Sequence, residues 1–414
     1  MSLPGKLLAP MALLVTVAAV FLAACSDVGP ATSGTSVPSI TPLPPAPIAS
    51  TTSAPRDVAV SAPTLPPTTA PTQLPKSAPP PPAPTLSAVP PSTLPRTAAD
   101  RYGVSFSGNE YDPLAPQALT LLGKTGVGIG WVRVEMSWFR IEVSPGRFDF
   151  SRYDSLLTSA GQQGFQVLGS LTYGSPWHTS APASEPAGFA RLTYPPSDYA
   201  AYEAYVTAVV SRYKNSIHAW EVWNEPDLTR FWKGTPADYA RLLAAAHDTV
   251  KRADPSAQVV LGGLALCCPP DSSTNFLTEI LRDTVHPAAN NLDVVDVHLY
   301  GPKTEAKRRM DYVRGELAKV GAADRPIWVT EVGYSSDPGV QLERAYQGGP
   351  EAQAQWLRDT LPYLLNELGA QRVFWFTWID VPTSGRTFAK HGLLDANLVP
   401  KPAVDAYKAL IAGR

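Results

Sequence analysis

From about residue 97 onward, short apolar runs alternate with longer stretches of helical periodicity. Tyr102–Phe106, Gly130–Glu135, Phe165–Leu171, Gln258–Leu264 and Leu292–Tyr300 are rich in β-branched and aromatic residues, and each is short enough for a strand. Three further runs share that character: Trp220–Glu225, which ends on its carboxylate before Pro226, Pro326–Glu331, which again closes on a glutamate, and Arg372–Asp380. Between them lie helical patterns. In the stretch from Ser197 to Lys214, Tyr199, Tyr202, Val206, Val209, Val210 and Tyr213 form one stripe. Thr235–Pro236–Ala237–Asp238 opens the next helix with a cap residue, a proline and an acid; Tyr239, Leu242, Leu243, Ala246 and Val250 are its apolar face. Helices are also predicted over Pro116–Leu122, Ser151–Gln163 with Ser151 as cap, Thr274–Arg282, Lys303–Val320, Glu351–Leu368 and Pro402–Ile411.

Eight strands, each followed by a helix, predict an α/β fold with a parallel sheet, a (β/α)8 TIM barrel over residues 98–414. In such a barrel the C-terminal ends of all strands share one rim, where chemistry concentrates. That rim would gather Arg133, Trp177 and His178, Asn224 and Glu225, Cys267 and Cys268, His298 and Tyr300, Glu331, and Trp378. Trp177 and His178 lie on a long loop, 172–196, and loops of that length are usually functional. Side chains alternate along a strand, so Asn224 and Glu225 can both face inward only if the strand bends; Pro226, which cannot donate to a ladder, makes a bend there plausible.

The pattern before residue 97 is different. Residues 1–25 combine Lys6, an apolar run from Leu7 to Leu22 and Leu22–Ala23–Ala24–Cys25, which resembles a lipoprotein signal whose cysteine is lipidated. Residues 26–97 are mostly Pro, Ser, Thr and Ala, a composition that cannot bury enough apolar surface to fold. As an extended linker they could reach about 200 Å, at roughly 3.1 Å per residue. The chain is therefore expected outside the cytoplasm, held to a membrane only by its N-terminal lipid.

Thirty-four Lys and Arg against 36 Asp and Glu leave a net charge of −2, which argues against nucleic acid as partner. Ten Trp and 16 Tyr suit stacking on sugars, and equally a large core. No His/Cys/Asp cluster has metal-ligand spacing, so no metal or other cofactor is expected. Outside the cytoplasm the adjacent Cys267 and Cys268 could form a strained vicinal disulfide.

Two glutamates, each closing a separate strand, are what cleavage of a glycosidic bond requires. Trp223–Asn224–Glu225–Pro226 resembles the acid/base motif of the retaining glycoside hydrolases of clan A, and Thr330–Glu331–Val332–Gly333 resembles their nucleophile motif. Gly392–Leu393–Leu394–Asp395 with Lys401–Pro402–Ala403 is similar to the closing segment of the cellulase-like and β-xylosidase/iduronidase-like (family 39-like) members. The resemblance implies that Glu225 is the general acid and base and Glu331 the nucleophile. It implies that Arg133 pairs with Glu331, Tyr300 donates to Glu331, Asn224 binds the sugar 2-hydroxyl and Trp378 is the stacking floor. His298, His178 and Trp177 are further candidates for contact with a carbohydrate substrate, and the protein is expected to be a monomer. Two alternatives stay open: an inverting hydrolase, with carboxyls about 6.5–9.5 Å apart rather than about 5–5.5 Å, and a glycan-binding lipoprotein without catalysis on the same barrel.

Overall fold

A computed structural model describes residues 97–413, apart from 109, 111, 267–274, 341, 342, 344 and 382–387. The expected signal, the expected lipidation site Cys25, almost all of the expected linker and the Cys267–Cys268 pair lie outside the described residues.

Eight parallel strands form the centre: β1 Tyr102–Ser105, β2 Trp131–Glu135, β3 Gln166–Leu171, β4 Ile217–Val222, β5 Gln258–Leu261, β6 Val295–His298, β7 Ile327–Val332 and β8 Arg372–Trp375. Their order is β5-β4-β3-β2-β1-β8-β7-β6. The two ends meet through isolated parallel bridges, Val260 to Val294 and Leu264 to Val297, so the sheet curls into a TIM-like barrel. Eight helices alternate with the strands: α1 Ala115–Leu122, α2 Ser151–Gln162, α3 Tyr199–Tyr213, α4 Pro236–Ala253, α5 Phe276–Leu281, α6 Lys303–Lys319, α7 Pro350–Pro362 and α8 Pro402–Ile411.

Local chemistry explains the helix ends. The Thr235 side chain accepts from the Asp238 N–H while Asp238 reaches back to the Thr235 N–H, a reciprocal cap for α4. Asp198 caps α3 by accepting from Ala200 and Ala201. Ser151 is not a cap but the first residue of α2, and Asp149 accepts its N–H instead. The stretch between β2 and α2 also holds a helical turn, Trp138–Ile141, and a hairpin, 142–148, too short for a periodicity to reveal.

The apolar residues divide into two bodies. A large one fills the space between barrel and helices. A small one, Trp131, Leu168, Ala219, Val260, Val294, Trp328 and Phe374, takes one residue from or beside each of seven strands and plugs the barrel floor. The eighth strand contributes Gly103, where a Cβ would come within 2.3 Å of the Phe374 ring. This plug supports a polar layer above it.

Candidate active site

Alternation along the strands sets the layer above the plug. Two residues beyond Trp131 is Arg133; two beyond Ala219 is Glu221; two beyond Val294 is Asp296; two beyond Trp328 is Thr330. All four are fully buried. Arg133 donates through Nε and Nη2 to both oxygens of Glu221 (2.6 and 2.9 Å). Its remaining hydrogens reach Ser107 Oγ (2.7 Å), Glu331 Oε1 (2.8 Å) and Asn224 Oδ1 (2.8 Å). Burial works against the guanidinium charge, and Glu221 and Glu331 more than offset it.

Glu225 lies three residues past the end of β4, and its neighbourhood departs from strand geometry as expected of the Asn224–Glu225 pair. Trp223 and Glu225 have positive φ, 75° and 44°. That turn lets Asn224 meet Arg133 while Glu225 meets His298, with Oε1 2.9 Å from Nδ1. The other ring nitrogen of His298 is 3.2 Å from Thr330 Oγ1, and Thr330 donates to Asp296 at 2.5 Å. His298 fits only because Gly263 faces it: a Cβ there would stand 2.1 Å from Nε2. Glu331 accepts from Arg133 on one oxygen and from the Tyr300 hydroxyl on the other (2.8 Å). An oxygen of Glu225, a nitrogen of His298 and an oxygen of Glu331 all lie within 4.8 Å of one another.

The two glutamates differ electrostatically. Burial pushes Glu225 well above the usual carboxylate range, and the charges of Glu331 and Asp227 add to it. Its Oε2 is buried without a hydrogen-bond partner among the described residues. Burial also leaves Glu331 raised, although Arg133 and Tyr300 offset part of that rise. Burial and the charge of Arg133 hold His298 well below its ordinary value, so its ring is neutral.

Four of the residues expected at the site, Arg133, Asn224, His298 and Tyr300, therefore converge with the two glutamates, which also meet each other. Trp378 does not serve as expected. It is wholly buried, stacked on Phe106 with ring centroids 4.6 Å apart, and has no face left for a sugar. The partly exposed aromatic of that segment is Phe376, edge-on to Tyr300. His178 packs on Trp138 and lies 3.3 Å from Glu142, and no hydrogen bond or ring contact among the described residues links it to the glutamates. Trp177 is half exposed, with its indole N–H facing the Glu142 carbonyl. Sequence reasoning missed Glu221, Asp296 and Thr330. The signal was present, a charged or polar residue two positions from another inward one inside an apolar run.

Two triplets bring ligand-type atoms together, Glu221–Asp296–His298 and Glu225–His298–Glu331. Local spacing does not disclose them, because each draws on separate strands. Both nitrogens of His298 already have partners, and the Arg133 guanidinium occupies the middle of the same acid cage. A cation would have to compete with that fixed positive charge.

A TIM-like barrel with a buried acid pair at its C-terminal rim defines the class, a barrel of the glycoside hydrolase type. The glycosyl hydrolase catalytic core family model matches residues 198–407, just over half of the 414 residues, and the chain belongs to that family. A curated β-xylosidase from Geobacillus stearothermophilus is 34% identical over 134 residues, 30% of this chain. The match spans only 25% of that relative's length. Among solved structures, a family 39 glycoside hydrolase from Bacteroides cellulosilyticus superposes with a TM-score of 0.59 at 19% identity, covering 77% of this chain and 65% of that one. A monomeric β-xylosidase from Caulobacter crescentus gives 0.57 at 18%, covering 79% and 70%. At these identities the structural likeness is one of fold.

Proposed function

We propose that this protein is a retaining glycoside hydrolase acting on a poly- or oligosaccharide, with Glu225 as acid/base and Glu331 as nucleophile. The observation that carries the reading is the approach of their oxygens to within 4.8 Å, which suits double displacement and leaves little room for the intervening water of an inverting enzyme. Glu225, held protonated by burial, gives its proton to the glycosidic oxygen as that bond breaks, and Glu331 bonds to the anomeric carbon. Bonding of Glu331 to the sugar removes its negative charge, so Glu225 becomes easier to ionise. It then takes a proton from water, whose oxygen replaces Glu331 at that carbon. Asn224, fixed by Arg133 through Oδ1, keeps its amide N–H groups for the sugar 2-hydroxyl.

Glu225→Gln and Glu331→Gln are each expected to lower kcat by about 1,000-fold or more while the fold survives, since each removes a group that acts only in the chemical step. A fluorinated glycosyl donor should trap a covalent adduct on Glu331, seen by mass spectrometry of the peptide. Near-normal turnover by either variant would falsify the assignment. The family membership and the intact acid pair favour this reading over a binding-only barrel.

The leader and linker extend the proposal to location: a lipoprotein displayed outside the cytoplasm. Cys25→Ser should release the protein from the membrane fraction, and a variant that stays bound would overturn the anchor.

A further inference from the structure

Glu135 ends β2, two positions beyond Arg133. Strand alternation puts it on the same inward face, one layer nearer the rim. Arg133 fixes which face that is, because its side chain meets Glu221 and Glu331 from across the barrel. The other inward acids are bound into the structure: Glu221 by Arg133, Asp296 by Thr330. Glu135 is different. It keeps some open surface, and its carboxyl makes no hydrogen bond or ion pair among the described residues.

Its surroundings put it on the same side of the barrel as Glu331. Glu331 lies within its electrostatic reach. So does Tyr173, whose ring packs edge-on against Trp223 and which also feels Glu225. Glu110 lies close by and accepts the main-chain N–H groups of Glu135 (3.0 Å) and Gly108 (3.2 Å). The charged groups facing Glu135 are thus Glu110, Arg133, Arg140 and Glu331. Burial, then repulsion by Glu110, raises Glu135, and burial lifts Glu110 to about 7. A crowded acid with no internal partner costs stability, and such conflicts are retained mainly where something is to be bound.

We propose that Glu135 is a sugar-binding residue: its carboxyl meets hydroxyls of the sugar held against Glu331, and it directs the site to neutral glycosides rather than uronic-acid glycosides. This rests on the hydrolase reading above. The selectivity follows from charge. A sugar carboxylate in this layer would stand among Glu135, Glu110 and Glu331, three acids that outnumber Arg140, while Arg133 below has no hydrogen left to donate.

The test uses aryl glycosides of neutral sugars, their singly deoxygenated analogues, and the matching uronides. The intact enzyme should prefer the neutral substrate over the uronide by about 100-fold in kcat/KM. It should also lose about 100-fold on removal of at least one hydroxyl, because a site built to bind that group rejects its absence. Glu135→Ala should be nearly indifferent to that same hydroxyl, a coupling that a merely structural role would not produce. Should Glu135→Ala fail to fold, Glu135→Gln carries the test: it removes the charge, and the neutral-to-uronide ratio should narrow by about 10-fold. Equal sensitivity of intact enzyme and variant at every hydroxyl, an unchanged ratio in Glu135→Gln, or a native preference for uronides overturns the role of Glu135 alone. No turnover of any glycoside by the intact enzyme overturns the hydrolase reading, and this proposal with it.

Discussion

Arg133 has five N–H groups and all five are used, on Glu221, Ser107, Glu331 and Asn224. A lysine has three hydrogens on one nitrogen and cannot reproduce that fork. The same saturation favours the ionised form of Glu331 against the burial that raises its pKa: Arg133 holds one oxygen, Tyr300 the other. Tyr300→Phe deletes the second donor. The ionised form of Glu331 loses a hydrogen bond, so its pKa rises. Activity that needs ionised Glu331 is lost as pH falls through that pKa. The acid limb of kcat/KM against pH should therefore move to higher pH, and an unmoved limb would exclude the bond as a determinant. At this scale the sequence was partly legible. Glu225, Glu331, Arg133 and Tyr300 stood out because each closes or follows an apolar run. Glu221, Asp296 and Glu135 did not, because an acid inside or ending a strand acquires meaning only when its face is known. Trp378 and Phe376 are two residues apart, and only packing decides that Phe106 covers the tryptophan and leaves the phenylalanine partly open.

The element that matters most is the exit of β4. The chain leaves the strand at Val222, turns through two positive φ values, and is tied down by side chains. The Trp223 indole N–H donates to the Phe231 carbonyl (2.8 Å). Asp227 accepts the buried N–H groups of Ala265 (3.0 Å) and Leu266 (2.8 Å), locking this exit to the loop after β5. Asp227→Ala leaves both donors unpaired, at a cost of about 3 kcal/mol in all. Denaturant unfolding should show that loss. Because Glu225 sits on the released segment, kcat should fall by about 10-fold or more with KM changed less. A variant with full stability and full kcat would show that the clamp is dispensable. Helices and most strands were legible to within a few residues, since periodicity and caps are local. The ends of β5, β6 and β8 were overread: their apolar character continues into rim segments such as Gly262–Gly263 and Thr377–Trp378, whose hydrogen bonds go to other loops and side chains instead of the ladder.

Over the whole molecule, the barrel encloses more acid than its one saturated arginine can neutralise. Burial raises Glu110, Glu135, Glu225 and Asp296 above ordinary carboxylate values. For such groups the folded state binds protons that the unfolded chain has released, so their contribution to stability is fully present below the unfolded pKa and is lost as pH rises through the folded one. The melting temperature should therefore drop between pH 5 and pH 8. Glu225→Gln removes one contributor, so the variant should lose about 2–4 °C less than the native protein over that range, on the scale of about 1 kcal/mol. Parallel thermal melts at the two pH values decide it; equal slopes would mean that Glu225 is not held protonated by the fold. What the sequence alone determined is the succession of strands and helices, the caps and the two strand-end glutamates, because propensity, alternation and turn chemistry act between near neighbours. What only the tertiary structure decided is the company each acid keeps. Closing the sheet brings β2, β4, β6 and β7 around one space, and there burial and distance, which no local pattern encodes, separate a proton-holding Glu225 from a paired Glu331.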